Sequence, residues 1–133
     1  MASSITTGAV HHVRLTVTDV QRAREFYTGL LGFQVAGELP PAIVLMSNGS
    51  MILVLSPAPE RPISGDQFDP NRVGLDHLSF QVAHRDELVQ AARVLDERGI
   101  PRGDIGHYPD LGISVLPFRD PDGIQLELTA SYS

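Results

Sequence analysis

Three short segments of the chain each place one potential metal ligand on a polar strand face: His12 in HHVRLTV, His77 in DHLSFQV and Glu127 in GIQLELT. Two imidazoles and one carboxylate form a facial ligand set. Such a set leaves several positions open on a divalent ion, where a substrate or dioxygen can bind as a further ligand. The chain has no cysteine, so thiolate zinc sites, thiol nucleophiles and disulfides are excluded, and any metal must be held by His, Asp or Glu.

The three segments share a strand pattern. Val13, Leu15 and Val17 alternate with His12, Arg14 and Thr16, and Leu78, Phe80 and Val82 alternate with His77, Ser79 and Gln81. Gln125 and Glu127 alternate with Leu126 and Leu128 in the same way. Period two places the apolar residues on one face and the polar ones on the other. One polar face is therefore expected to carry His12, Arg14, His77, Ser79, Gln125 and Glu127. A solvated back face of an antiparallel sheet shows the same alternation. Histidine at equivalent places in two strands favours a site.

The elements around these strands repeat. Asp19 suits a helix N-cap, Val20, Ala23, Phe26, Tyr27, Leu30 and Leu31 follow at helical spacing, and Gly32 supplies the C-cap. Strands are predicted near residues 33–38, 43–47 and 51–56, with Asn48-Gly49 as the last turn. A proline-rich linker follows. The pattern then restarts with a helix over about 86–98 and strands near 103–107, 113–118 and 124–129, the last two joined by Asp120-Pro121-Asp122-Gly123.

The repeats lie in near register: His77 follows His12 by 65 residues, Gly99 follows Gly32 by 67, and Gly123 follows Gly49 by 74. The reading is an α+β protein of two βαβββ repeats forming one curved mixed sheet, with helices on the convex face. Residues 1–8 read as a loose tail and 9–133 as a single domain, with repeat one at about 10–57, a linker at 58–73 and repeat two at about 74–130.

Composition limits the partners. At 133 residues, 42% hydrophobic and 20% charged, the chain resembles an ordinary globular protein. All ten basic residues are arginines scattered along a chain of net charge -6, which argues against nucleic acid and anionic membrane and for a small-molecule substrate. The longest apolar run, Met51 to Leu55, is far short of the roughly 20 residues of a membrane helix, and MASSITTG lacks the features of a signal peptide. A cytoplasmic location is expected.

The sequence resembles the vicinal oxygen chelate superfamily, which includes glyoxalase I, extradiol dioxygenases, epimerases and bleomycin- or fosfomycin-resistance proteins. The resemblance covers about residues 10–130. It is carried by HVRLTVTD from His12 to Asp19, by Phe26-Tyr27 with Leu31-Gly32-Phe33, by Asp76-His77-Leu78-Ser79-Phe80, and by DPDGIQLEL from Asp120 to Leu128. It implies that His12, His77 and Glu127 bind a divalent metal, with iron, manganese, zinc, nickel or cobalt as the choices. It also implies a homodimer, with the ligands drawn from one chain or with His12 of one chain meeting His77 and Glu127 of the other.

Two departures from the family pattern bear on activity. A spacing of 74 makes Leu53 the counterpart of Glu127, at the place where glyoxalase I carries a glutamate ligand. His107 falls about where the extradiol dioxygenase signature has a histidine, whereas Pro117 occupies the tyrosine position. His107 and Tyr108 are thus the candidates for proton transfer, and Arg14, Ser79, Phe118 and Gln125 for substrate contact. The expected function is a metal-dependent dioxygenase, isomerase or lyase acting on vicinal oxygens of a small substrate. The alternative is a bleomycin-resistance-like protein that binds a small molecule without turnover.

Overall fold

A computed structural model describes residues 3–133, so part of the 1–8 tail lies outside the described residues, and 3–11 carry no helix or strand. The chain divides into two compact units, Met1–Ser64 and Gly65–Ser133. Each contains one helix and a four-stranded mixed sheet.

In the first unit, β1 (His12–Thr16), α1 (Val20–Leu31), β2 (Gln34–Leu39), β3 (Ile43–Ser47) and β4 (Ile52–Ser56) follow in order, and the sheet order is β1-β4-β3-β2. The first and last strands run parallel, while the other pairs are antiparallel. α1 starts where its residues dictate. Asp19 is extended, and its carboxylate accepts a hydrogen bond from the Arg22 amide at 3.0 Å. At the other end Gly32 adopts φ 73°, a left-handed conformation that favours glycine, and its amide returns to the Tyr27 carbonyl.

α1 packs on β3 and β4. Its Ala23 and Tyr27 are buried, as are Leu15, Val44, Met46, Leu53 and Leu55 on the sheet. The ladder pairs Leu53 with Met46 and Leu55 with Val44, so these apolar side chains share one face. Their removal from water supplies the main favourable term in folding this unit.

The second unit repeats the plan. It holds β5 (Leu78–Gln81), α2 (Asp86–Glu97), β6 (Gly106–Tyr108), a short 3-10 turn at Pro109–Leu111, β7 (Ile113–Arg119) and β8 (Gln125–Ser131), in sheet order β5-β8-β7-β6. α2 packs on β7 and β8, burying Leu88, Ala92 and Leu95. Leu116, Phe118, Leu126 and Leu128 face it from the sheet. Asp86 and Glu87 in the first turn favour the positive end of the helix dipole.

Element types agree with the sequence reading, while β6 lies further along the chain than predicted. Instead of 103–107 it covers Gly106–Tyr108, preceded by a single bridge between Arg102 and Phe118 and a hydrogen bond from the Gly103 amide to the Pro117 carbonyl. Gly103 packs so tightly on Pro117 that a Cβ at this position would sit 2.8 Å from the ring. Two glycines within four residues interrupt the strand here. The linker, at 57–77, contains no helix or strand. Among the described residues no helix is long and apolar enough to cross a membrane.

Capping of α1 gives a direct test of the first unit. Asp19→Ala is expected to lower unfolding free energy by about 1 kcal/mol in urea titrations, whereas Asp19→Asn, which keeps the acceptor, loses much less. Equal losses in both variants would contradict the capping role.

Candidate metal centre

Parallel pairing of β5 with β8 assembles the polar centre of the second unit. Ser79 stands opposite Glu127 and Leu78 opposite Leu126, so Glu127 and the residues just ahead of β5 approach one another although 50 residues separate them in sequence. His77 directly precedes β5. Its Nε2 lies 3.3 Å from Glu127 Oε1. The Glu127 side chain is 18% exposed and that of His77 43% exposed, so the pair opens to solvent on one side.

The other imidazole nitrogen is also engaged. His77 Nδ1 lies 2.8 Å from Asp76 Oδ1, so a proton on Nδ1 is donated to that carboxylate and Nε2 is the nitrogen that faces Glu127. Asp76 is held in turn by Gln125, whose Nε2 donates to the Asp76 carbonyl at 2.9 Å. Arg119 Nη2 donates to Gln125 Oε1 at 3.2 Å. On the far side of Glu127, Thr129 Oγ1 lies 3.4 Å from its carboxylate and is hydrogen-bonded to Ser79. A chain of polar contacts thus runs from Arg119 through Gln125 and Asp76 to the His77–Glu127 pair.

The donor set fits a divalent metal ion. Ligand atoms at about 2.1 Å on adjacent coordination positions stand about 3 Å apart, close to the separation of His77 Nε2 and Glu127 Oε1. A carboxylate on the distal nitrogen is the usual outer partner of a metal-bound histidine. Without metal, protonation of His77 is favoured first by the Asp76 hydrogen bond, opposed next by burial, and favoured further by the charge of Glu127, so that its pKa is raised above the ordinary 6.5.

His12 belongs to the first unit, exposed on β1. Its Nδ1 lies 2.9 Å from His11 Nδ1. The residue preceding the histidine therefore engages Nδ1 in both repeats, His11 in one and Asp76 in the other. Among the described residues no group of three or more His, Asp or Glu is gathered to hold a metal; the second unit brings two together, His77 and Glu127.

The strand ladders revise several sequence assignments. Arg14 pairs with Val54 in β1–β4 as Ser79 pairs with Glu127 in β5–β8, so the counterpart of Glu127 is Val54 rather than Leu53. Leu53 is fully buried on the helix-facing side. The conclusion that the first repeat lacks this carboxylate is unchanged. Arg14 Nε donates to the buried Ser56 hydroxyl at 2.8 Å, the counterpart of the Ser79–Thr129 contact, and its position is thereby tied to the first unit.

His107 faces away from the pair. It stands opposite Ser114, on the parity of Leu116 and Phe118, and its Nδ1 lies 2.7 Å from the buried Ser114 hydroxyl while its ring meets Tyr132 edge-on. Phe118 is likewise a core residue, 3% exposed, that only borders the polar face. Tyr108, by contrast, shares the face of Glu127, and with His77, Glu127 and Gln125 it lines a cavity of about 510 Å³. Arg119 and Asp76 also line it. Neither was singled out from sequence, although Asp76 adjoins His77 and Arg119 has the strand parity of Pro117, which pairs with Glu127.

The Asp76 contact predicts a titration. A histidine with a raised folded pKa stabilises the metal-free fold below its unfolded value of 6.5, and this contribution is lost as pH rises through the folded value. Proton NMR of the metal-free protein should show His77 titrating above an ordinary histidine, and Asp76→Asn should move the midpoint down. A midpoint insensitive to that substitution would show that Asp76 does not control the ring.

Comparison with known proteins agrees with this architecture. Residues 9–128 match the model of the Glyoxalase/Bleomycin resistance protein/Dioxygenase superfamily. The uncharacterized protein YwkD of Bacillus subtilis is 34% identical over 126 residues, covering 90% of this chain and 94% of YwkD. Catechol-2,3-dioxygenase of the same organism is 29% identical over 121 residues, and the match spans 91% of this chain but 41% of the dioxygenase. A glyoxylase/bleomycin resistance protein/dioxygenase domain from Frankia sp. EAN1pec superposes with a TM-score of 0.82 at 29% identity, covering 95% of this chain and 99% of that domain. The duplicated βαβββ frame, the paired His77 and Glu127 and the match over most of the sequence lead to one assignment: the chain belongs to the glyoxalase/bleomycin resistance protein/dioxygenase superfamily.

Proposed function

We propose that the chain is a divalent-metal-dependent enzyme of this superfamily, acting on a small substrate that chelates the ion through two adjacent oxygens. His77 Nε2 and Glu127 Oε1 would hold the metal. The observation that carries this reading is their 3.3 Å approach, with His77 Nδ1 taken up by Asp76. His12 is proposed as the third ligand because it occupies the repeat position of His77 and has its Nδ1 engaged in the same way. A homodimer is part of the proposal.

A bound divalent ion would act as a Lewis acid toward the substrate oxygens, lowering the cost of negative charge on them. The remaining work falls to the protein. Asp76 fixes the His77 tautomer and ring direction. Gln125 holds Asp76 in place through the Asp76 carbonyl. Tyr108 places a phenol on the cavity wall, where it can hold or release a proton at a substrate oxygen, a role that His107 on the opposite face does not share. The relatedness to catechol-2,3-dioxygenase supports a substrate with vicinal oxygens.

Elemental analysis of untagged protein reconstituted with manganese, iron, cobalt, nickel or zinc and then desalted tests the metal site. The wild type is expected to retain one of these ions in proportion to chain concentration. His77→Ala and Glu127→Gln should each lower the affinity at least about tenfold, and His12→Ala should weaken it as well. Metal retention unchanged in His77→Ala would overturn the proposal.

A further inference from the structure

The cavity beside His77 and Glu127 is lined by two arginines whose situations differ. Arg102 is committed to Asp96, with Nε donating to Oδ1 at 2.8 Å and Nη2 to Oδ2 at 3.0 Å, a bidentate pair that uses its fork. Arg119 has no carboxylate partner among the described residues. Its contacts are with neutral oxygens, the Gln125 side chain at 3.2 Å and the Gly123 carbonyl at 3.4 Å, both long for a charged donor. A guanidinium has five N–H donors, so Arg119 retains capacity for an anion.

Its placement relative to the metal pair is set by the ladder. Arg119 stands opposite Gln125, and Gln125 lies two residues before Glu127 on the same strand and face. Two residues of strand span about 7 Å. On β7 the cavity wall is apolar at Pro117, opposite Glu127, and at Val115, which lies beyond Glu127 on the side away from Arg119. Tyr108 forms an aromatic wall. Its ring lies against Gly106, where a Cβ would come within 3.0 Å of the ring and 3.2 Å of the hydroxyl oxygen, so glycine at 106 permits this placement.

We infer that the cavity takes a substrate with an anionic group about 7 Å from its vicinal oxygens, and that Arg119 binds that group. This rests on the metal reading of His77 and Glu127 and adds the chemical class: a dihydroxylated or enolic small molecule carrying a carboxylate, phosphate or phosphonate. Arg119 then has two functions. It receives the substrate anion, and through Gln125 and Asp76 it joins the anion site to the imidazole at the metal.

Calorimetric titration under nitrogen separates the two ideas, using manganese-loaded protein with 3,4-dihydroxybenzoate and its neutral analogue 3,4-dihydroxybenzamide. Both present the same vicinal oxygens. Wild-type protein should bind the carboxylate at least about tenfold more tightly than the amide. Arg119→Met should abolish that preference, while Arg119→Lys should keep part of it. Equal binding of both probes by the wild type, or a preference that survives in Arg119→Met, would overturn the anion site and leave the metal reading standing. Failure of both probes to bind the loaded wild type would overturn the inferred substrate class, whereas loss of manganese from the wild type on desalting would overturn the metal reading.

Discussion

The parallel register of the last strand against the first, within a single βαβββ unit, is the constraint on which the rest depends. In the second unit it sets Glu127 opposite Ser79 and brings it within 3.3 Å of His77. A slip of one residue would turn Glu127 toward α2 and bring Leu126 or Leu128 to the polar side. The apolar packing of Leu88, Ala92 and Leu95 of α2 against Leu116, Leu126 and Leu128 opposes that slip, so core burial specifies the geometry of the polar pair. The two faces of this sheet are energetically coupled: the hydrophobic side fixes register, and register positions the ligands.

The first unit uses the same device with different contents. Its parallel β1–β4 ladder sets Arg14 opposite Val54 and Thr16 opposite Ser56, where the second unit has Ser79 with Glu127 and Gln81 with Thr129. A side-chain hydrogen bond links equivalent strand positions in both, Arg14 to Ser56 and Ser79 to Thr129. The frame is duplicated, while the carboxylate is present in one copy. Histidine persists in both at the position ahead of or at the start of the first strand, each with its Nδ1 engaged by the preceding residue.

Much of this was legible in the sequence because period-two and period-3.6 patterns are strong in these segments. The α1 caps at Asp19 and Gly32, the β3 boundaries at Ile43 and Ser47, and the pairing of His77 with Glu127 follow from residue type and spacing. The spacing of the turn glycines points to Leu53 as the counterpart of Glu127, one residue short of the Val54 that the ladders give. Gly49 lies three residues before β4 and Gly123 two before β8, so the hairpins differ in length. His107 was assigned by family spacing, and strand parity with Ser114 places it on the other face. The interruption of β6 depends on Gly103 meeting Pro117, and the Arg119–Gln125–Asp76 relay joins segments 49 residues apart at its second contact; local patterns carry no information about either.

The paired imidazole and carboxylate carry the proposed chemistry, and locating the ion tests them most directly. Anomalous diffraction from crystals of the manganese- or zinc-loaded protein, collected at an energy where the metal scatters strongly, gives its position. The account predicts a peak about 2.1 Å from both His77 Nε2 and Glu127 Oε1, with Asp76 still bonded to His77 Nδ1. A peak at other residues, or none at saturating metal, would contradict it.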